Sequence, residues 1–304
     1  MLSVIICAHN PRSDYFPRVL SALKVQTLPA GEWELLLIDN ASRQCLAELW
    51  DLTWHPNARH VREEELGLTP ARIRGIQESR GEILVFVDDD NLLADDYLEN
   101  ALNLAERHQH IGAFGGSIIG EFEVPPPDWI KPYLPAFAIY PLERDTWSNV
   151  LSWSEATPYG AGLCARRNVV QEYLNKITAR PERKALGRTG NNMGAGEDTD
   201  LAWCAIDLGM GTARFKVLEL IHLIPRDRLT RDYITRLYAG FAASDEILAS
   251  VRNHKERNGE ALWSDYARFL WNYLRSSGIQ RDILVASRRS RRSTRRALAR
   301  QASS

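Results

Sequence analysis

The stretch that decides the fold is Ile83-Leu84-Val85-Phe86-Val87-Asp88-Asp89-Asp90. Five consecutive apolar residues, most of them β-branched or aromatic, predict a strand buried on both faces, as strands of a parallel sheet are. The run stops at three aspartates. In an open parallel sheet, ligands bind beyond the carboxyl ends of the strands, so an acidic triplet there is a candidate site. Adjacent carboxylates repel one another, and a divalent cation carrying a polyphosphate offsets that repulsion. A solvated loop that uses Asp as a helix cap is the competing reading.

Outward from this strand, apolar runs alternate with amphipathic stretches, the pattern of βα units. Val4–Cys7 and Leu35–Ile38 read as strands, the second running into the polar cluster Asp39-Asn40-Ala41-Ser42. Phe16, Val19, Leu20 and Leu23 fall on one face of a helix, as do Leu98, Ala101, Leu102 and Ala105. Thr69-Pro70 predicts an N-cap with proline at the first helical position, and that helix should reach about Ser79. Another strand is expected around Ile111–Ile119. From Phe122 to Tyr159 the texture changes to three consecutive prolines and eight aromatics, an irregular insertion whose rings either pack locally or form a platform for sugars. Residues 180–196, rich in Arg, Lys, Gly and Asn, read as a mobile loop. Gly196-Glu197-Asp198 opens a helix that Gly209 ends.

Composition narrows the classes. With 304 residues, 44% hydrophobic and 25% charged, the chain is globular and can bury a large core. No run approaches the roughly 18 apolar residues of a spanning helix, and MLSVIICAHN has no basic region before its apolar residues, so it reads as a strand and not as a leader. A cytoplasmic protein is expected. Cys7, Cys45, Cys164 and Cys204 are far apart, which argues against a zinc ribbon, a redox dithiol or a disulfide framework. The net charge of −1 is a cancellation: residues 288–304 hold seven arginines and no acid, leaving 31 basic against 39 acidic residues elsewhere.

Taken in order, Ser3-Val4-Ile5-Ile6 with Asn10, Asp39-Asn40, Gly67-Leu68-Thr69-Pro70-Ala71-Arg72, Phe86-Val87-Asp88-Asp89-Asp90, Gly196-Glu197-Asp198 and His222 resemble the motifs of the inverting family 2 glycosyltransferases. The resemblance covers residues 1–225 and implies an α/β GT-A fold, a Rossmann-like mixed sheet of nucleotide-diphospho-sugar transferases. It divides the chain into a catalytic domain, with a nucleotide-binding half at 1–120 and an acceptor half at 121–225, a helical C-terminal extension at 226–280 and a basic, disordered tail at 281–304. The donor it implies is a nucleoside diphosphate sugar, and the cofactor a divalent metal, Mg2+ or Mn2+. Asp39 would accept a hydrogen bond from the base, with Ala8 and Asn10 lining that pocket and Arg72 near the base or the diphosphate. Asp88 would face the ribose, Asp89 would be the variable middle residue, and Asp90 would bind the metal with His222. Asp198 would be the catalytic base and Glu197 its neighbour, orienting it or meeting the acceptor.

Two departures stand out. Ile73 occupies the place of an Asn that commonly follows the family's Arg, and Cys7-Ala8-His9 replaces the usual Pro-Thr-Tyr. A sugar nucleotidyltransferase would need a glycine-rich basic loop after the first strand, which Ala8-His9-Asn10-Pro11 does not supply; a noncatalytic sugar-nucleotide binder would not need Asp88, Asp90 and Asp198. Arg226, Arg228 and the arginines of 180–188 are either clamps for a charged ligand or solvated charges. Residues 232–275 carry the wide apolar face Leu262, Trp263, Tyr266, Phe269, Leu270, Tyr273 and Leu274, to be covered by the domain, by a second copy in a homodimer, or by lipid. The arginines that follow favour an anionic membrane surface at the inner leaflet over a disordered solubilising tail or nonspecific nucleic-acid contact, and no specific nucleic-acid partner is expected. The acceptor, whether glycan, lipid-linked or small-molecule, stays open.

Overall fold

The computed structural model describes residues 1–190, 192–252 and 269–301. Its first half is built of β1 (Leu2–Ala8), α1 (Phe16–Lys24), β2 (Trp33–Asn40), α2 (Leu46–Leu49), β3 (Ala58–Glu63), α3 (Leu68–Glu78), β4 (Ile83–Asp88), β5 (Asn91–Leu93) and α4 (Tyr97–Arg107). Then come β6 (Ile111–Phe122), β7 (Thr146–Ser148), β8 (Cys164–Arg166), α5 (Arg167–Ala179), α6 (Glu197–Asp207), β9 (Gly211–Ile224), α7 (Arg231–Val251) and α8 (Gly278–Gln301). Among the described residues the strands form one mixed sheet in the order β3-β2-β1-β4-β8-β6-β9-β5, with β7 also on β9. β3, β2, β1 and β4 are mutually parallel, β8 runs antiparallel to β4 and β6, and β6 runs parallel to β9.

Successive strand residues point to opposite faces, and both faces are covered. Val4, Ile6, Leu35, Leu37, Val85 and Val87 pack under α1 and α4, together with Phe16, Leu23 and Leu98. Ile5, Leu36, Ile38, Leu84 and Phe86 face the other way, against Ala71 and Ile76 of α3, Val169 and Tyr173 of α5, and Leu201 of α6. The decisive strand is therefore buried on both sides, as its composition requires, and its aspartates emerge at the edge where β1 and β2 also end.

Several expectations are corrected. The N-cap of α3 is Gly67 and not Thr69: at φ 145° Gly67 adopts a backbone that disfavours side chains, and a Cβ there would lie 2.7 Å from Thr189 Oγ1. Where a loose loop was expected over 180–196, residues 181–186 are anchored, because a turn of 3-10 helix at Pro181–Leu186 buries Arg183 against Asp200 in the first turn of α6. The C-terminal tail, expected to be disordered, is the helix α8 through Gln301. Ile279 and Ile283 pack with Ile130, Phe137, Leu229 and Ile234, and the Ser287 and Ser290 hydroxyls donate to the carbonyls of Tyr238 and Ala239 on α7. Of the apolar face expected over 232–275, Leu262, Trp263 and Tyr266 lie outside the described residues, while Leu270 and Leu274 are exposed. Phe122–Tyr159 is largely irregular, with 3-10 turns at Asp128–Phe137 and the short β7.

Candidate active site

The carboxyl ends of β1 and β4, the start of α6 and one face of α7 enclose a cavity of about 960 Å³. Ala8, Arg72, Asp88, Asp89, Asp90, Glu197, Asp198 and His222 all line it. Asn10 and Asp39 do not. Asn10 is exposed, and its Oδ1 accepts from the Arg43 N–H at 2.9 Å. Asp39 is buried and accepts from the Ser42 and Leu46 N–H groups, both at 3.0 Å, and from Arg62 Nη1 at 2.8 Å. Burial works to raise its pKa, but those donors prevail and hold it below the usual value. Its neighbour Asn40 does line the cavity and accepts the Gly67 N–H at 2.8 Å, fixing the entry to α3.

Arg72 sits in the floor, 2% exposed, where one guanidinium serves the end of β4 and the start of α6. Its Nη1 donates to Glu197 Oε2 at 2.6 Å, and its Nη2 lies 3.5 Å from Asp88 Oδ1 and from the Gly160 carbonyl. α3 thus ties β4 to α6 by charge. Glu197 is also fully enclosed, with Oε1 lacking any partner, and burial pushes its carboxyl up to about 7 against the pull of Arg72. Asp198, next on the helix, is half-buried and open to the cavity. Its Oδ2 accepts the Gly160 N–H and its Oδ1 the Thr199 N–H, both at 2.8 Å. Burial raises this carboxyl too, opposed by Arg72 and the two amides.

Across the cavity, Asp90 is held by cationic and imidazole neighbours. Arg228 Nη1 lies 3.0 Å and His222 Nε2 3.4 Å from Asp90 Oδ2. Burial alone would raise Asp90, yet these two groups hold it well below the ordinary carboxylate range. Asp89 goes the other way, raised to about 8 by burial and by the like charges of Asp90 and Asp88. The Phe137 carbonyl accepts from His222 Nδ1 at 2.9 Å, which places a proton there, and Nε2 lies 3.2 Å from Arg228 Nη1 on the side of Asp90. A hard carboxylate oxygen and an imidazole nitrogen so placed fit two positions of a divalent cation. Among the described residues no three His, Cys, Asp or Glu side chains form a cage, so a cation held by Asp90 and His222 would need further ligands from elsewhere.

Sequence reasoning had no signal for two contacts. Gly160 fixes Asp198 through a backbone amide, and the Phe137 carbonyl sets the tautomer of His222; neither depends on side-chain identity. Arg228 was legible only as one arginine among several, and its distance to Asp90 singles it out.

A mixed sheet of this order, with its acidic groups gathered where the parallel strands end, defines a GT-A glycosyltransferase. The chain belongs to glycosyl transferase family 2, whose model matches residues 3–174. Two curated relatives come from Haloferax volcanii. Glycosyltransferase AglE is 30% identical over 105 residues, 34% of each chain, and a glucosyl-dolichyl phosphate glucuronosyltransferase is 22% identical over 135 residues, 42% of this chain and 39% of its own. The chain therefore matches well under half the length of these relatives. Among solved structures, S. aureus TarS 1-349 in complex with UDP superposes with a TM-score of 0.54 at 15% identity, covering 97% of this chain and 91% of that one. GalNAc-T7 with UDP, GalNAc and Mn2+ gives 0.51 at 16% identity, over 82% of this chain and 51% of that one. At such identities the likeness concerns the fold.

Proposed function

We propose that this glycosyltransferase transfers a sugar with inversion from a nucleoside diphosphate sugar to an acceptor hydroxyl in glycan or glycoconjugate synthesis, with Asp198 as general base. The observation that carries the reading is the placement of Asp198 in the same cavity as Asp88, Asp90 and His222, with an amide N–H on each carboxylate oxygen. Inversion requires the acceptor to attack the face opposite the leaving group, so a base separate from the phosphate-binding end is needed. Two amides orient Asp198 yet leave a lone pair on each oxygen for the acceptor proton. Burial raises its proton affinity and makes it a stronger base. Arg72 lies between Glu197 and Asp88 and partly offsets their negative charge beside Asp198. At the other end, Asp90 and His222 would hold Mg2+ or Mn2+. A bound ion there supplies Lewis-acid stabilisation of the diphosphate leaving group. Arg228, half-buried beside Asp90, adds positive charge for the same phosphates.

Release of nucleoside diphosphate from a panel of sugar nucleotides, with Mg2+ or Mn2+, tests this directly. Asp198→Asn should abolish release while calorimetry shows donor binding nearly unchanged. Undiminished release from that variant would remove Asp198 from the base role, and consumption of nucleoside triphosphate would instead indicate a nucleotidyltransferase.

A further inference from the structure

The seven arginines at 288–300 of α8 divide into two sets by what they touch. Arg288 stacks on Phe269 at 3.9 Å, Arg291 pairs with Asp245 at 3.0 Å and Arg295 with Glu246 at 2.7 Å, so these three face the protein. Arg289, Arg292, Arg296 and Arg300 recur at helical spacing, forming one stripe. All four are exposed, and among the described residues none of them meets a carboxylate. They border a shallow concavity of about 670 Å³ that also reaches Phe269. Four such guanidinium groups on one ridge repel one another, and no carboxylate among the described residues pairs with them.

Beside this ridge lies an apolar surface. Residues 269–275 are helical and join α8 through Arg288 on Phe269 and through Arg281 on Tyr273, at 4.6 Å. Three exposed side chains of that segment are large and apolar: Leu270 is 39%, Trp271 61% and Leu274 75% exposed, with Arg275 over the Trp271 ring at 4.9 Å. Water solvates such a patch poorly, whereas the boundary between lipid headgroups and acyl chains accepts it, tryptophan above all. Arginine beside tryptophan and leucine is therefore the composition of an interfacial face. Nucleic-acid phosphates would satisfy the arginines but leave Leu270 and Leu274 in water. Among the described residues no helix is long and apolar enough to cross a membrane, so the contact would be peripheral.

We propose that the Arg289, Arg292, Arg296 and Arg300 stripe of α8, with Leu270, Trp271 and Leu274 beside it, docks this protein on an anionic lipid surface. The inference goes beyond the transfer reaction and holds or fails independently of it. The acidic body is repelled by the same surface, so the attraction is confined to α8 and sets one orientation of the enzyme on the bilayer.

Co-sedimentation of the full chain with vesicles of phosphatidylcholine plus phosphatidylglycerol, and with phosphatidylcholine alone, tests the proposal. Binding is expected only to the anionic vesicles and should weaken with added salt. Replacing all four arginines by serine should lower the partition coefficient at least about tenfold, since each basic residue near an anionic surface contributes to the attraction. Trp271→Ser with Leu274→Ser should lower it while a blue shift of the tryptophan emission on vesicle addition is reduced. None of these positions lines the cavity, so nucleoside diphosphate release and the thermal midpoint serve to show that both variants are folded. Equal binding to neutral vesicles, or full binding by the four-serine variant, overturns the proposal. So does binding of duplex DNA with no binding to anionic vesicles.

Discussion

Asp39 shows how a single carboxylate can be structural at a place where sequence resemblance points to a ligand. Three donors converge on it, and its replacement by Asn would turn an amide N–H2 toward at least one of them. That mismatch should cost about 1–3 kcal/mol. The sign with pH follows from its depressed pKa. Because the folded protein binds this proton more weakly than the unfolded chain, Asp39 contributes stability above its ordinary value of 3.8, and the contribution is lost as pH falls through the lower folded value. Urea midpoints of wild type and Asp39→Asn should therefore differ clearly at neutral pH and converge in acid. A gap that stays constant into acid would assign the loss to shape and not to charge. At this scale much of the site was legible: Asp88, Asp89, Asp90, Glu197, Asp198 and His222 line one cavity as their motifs imply. Burial of Arg72 in the floor was not legible, because what surrounds a guanidinium is decided by α6, more than a hundred residues away in sequence.

Among the elements, those with a strong local period were readable before any coordinates: β1, β2, β4, α1, α4 and α6 lie where their apolar spacing puts them. The antiparallel insertion of β8 between β4 and β6 has no local signature, since strand neighbours are chosen by long-range packing. α7 illustrates a further dependence. It clamps residues 193–196, the approach to Glu197 and Asp198: the Ala195 N–H donates to Ser244 Oγ at 3.0 Å, and a Cβ on Gly240 would fall 2.1 Å from the Met193 carbonyl. That obstacle is backbone, so it cannot rotate away. Gly240→Ala should push the start of α6 out of line, and misplacing a reacting group by about 1 Å can cost on the order of 100-fold in turnover. Nucleoside diphosphate release should fall accordingly, whereas Gly31→Ala, with nothing within 4 Å, should match wild type. Equal rates for the two variants would show that α7 does not position the catalytic helix.

Over the whole molecule, the charge asymmetry of the chain becomes a layered construction in which the basic helix is attached to the acidic body by apolar contact. Ile279, only 8% exposed, joins Ile130, Phe137, Ile224, Leu229 and Ile234 in one cluster. Burying an aliphatic side chain of this size is worth about 1.5–3 kcal/mol, whereas exposed pairs such as Arg291–Asp245 contribute about 0–1 kcal/mol. Phe137 also accepts the His222 proton, so the cluster that holds α8 braces one wall of the site. Two shortened chains separate these contributions. One ending at Ser287 keeps Ile279 and Ile283 and should melt within a few degrees of the full chain, with donor binding in the presence of Mn2+ preserved. The other, ending at Ser277, loses both isoleucines and should melt well below it, with weaker Mn2+-dependent donor binding as the Phe137 wall relaxes. Thermal melts and calorimetry on the two chains measure this, and identical behaviour would mean that the arginine pairs, not the isoleucines, hold α8 in place.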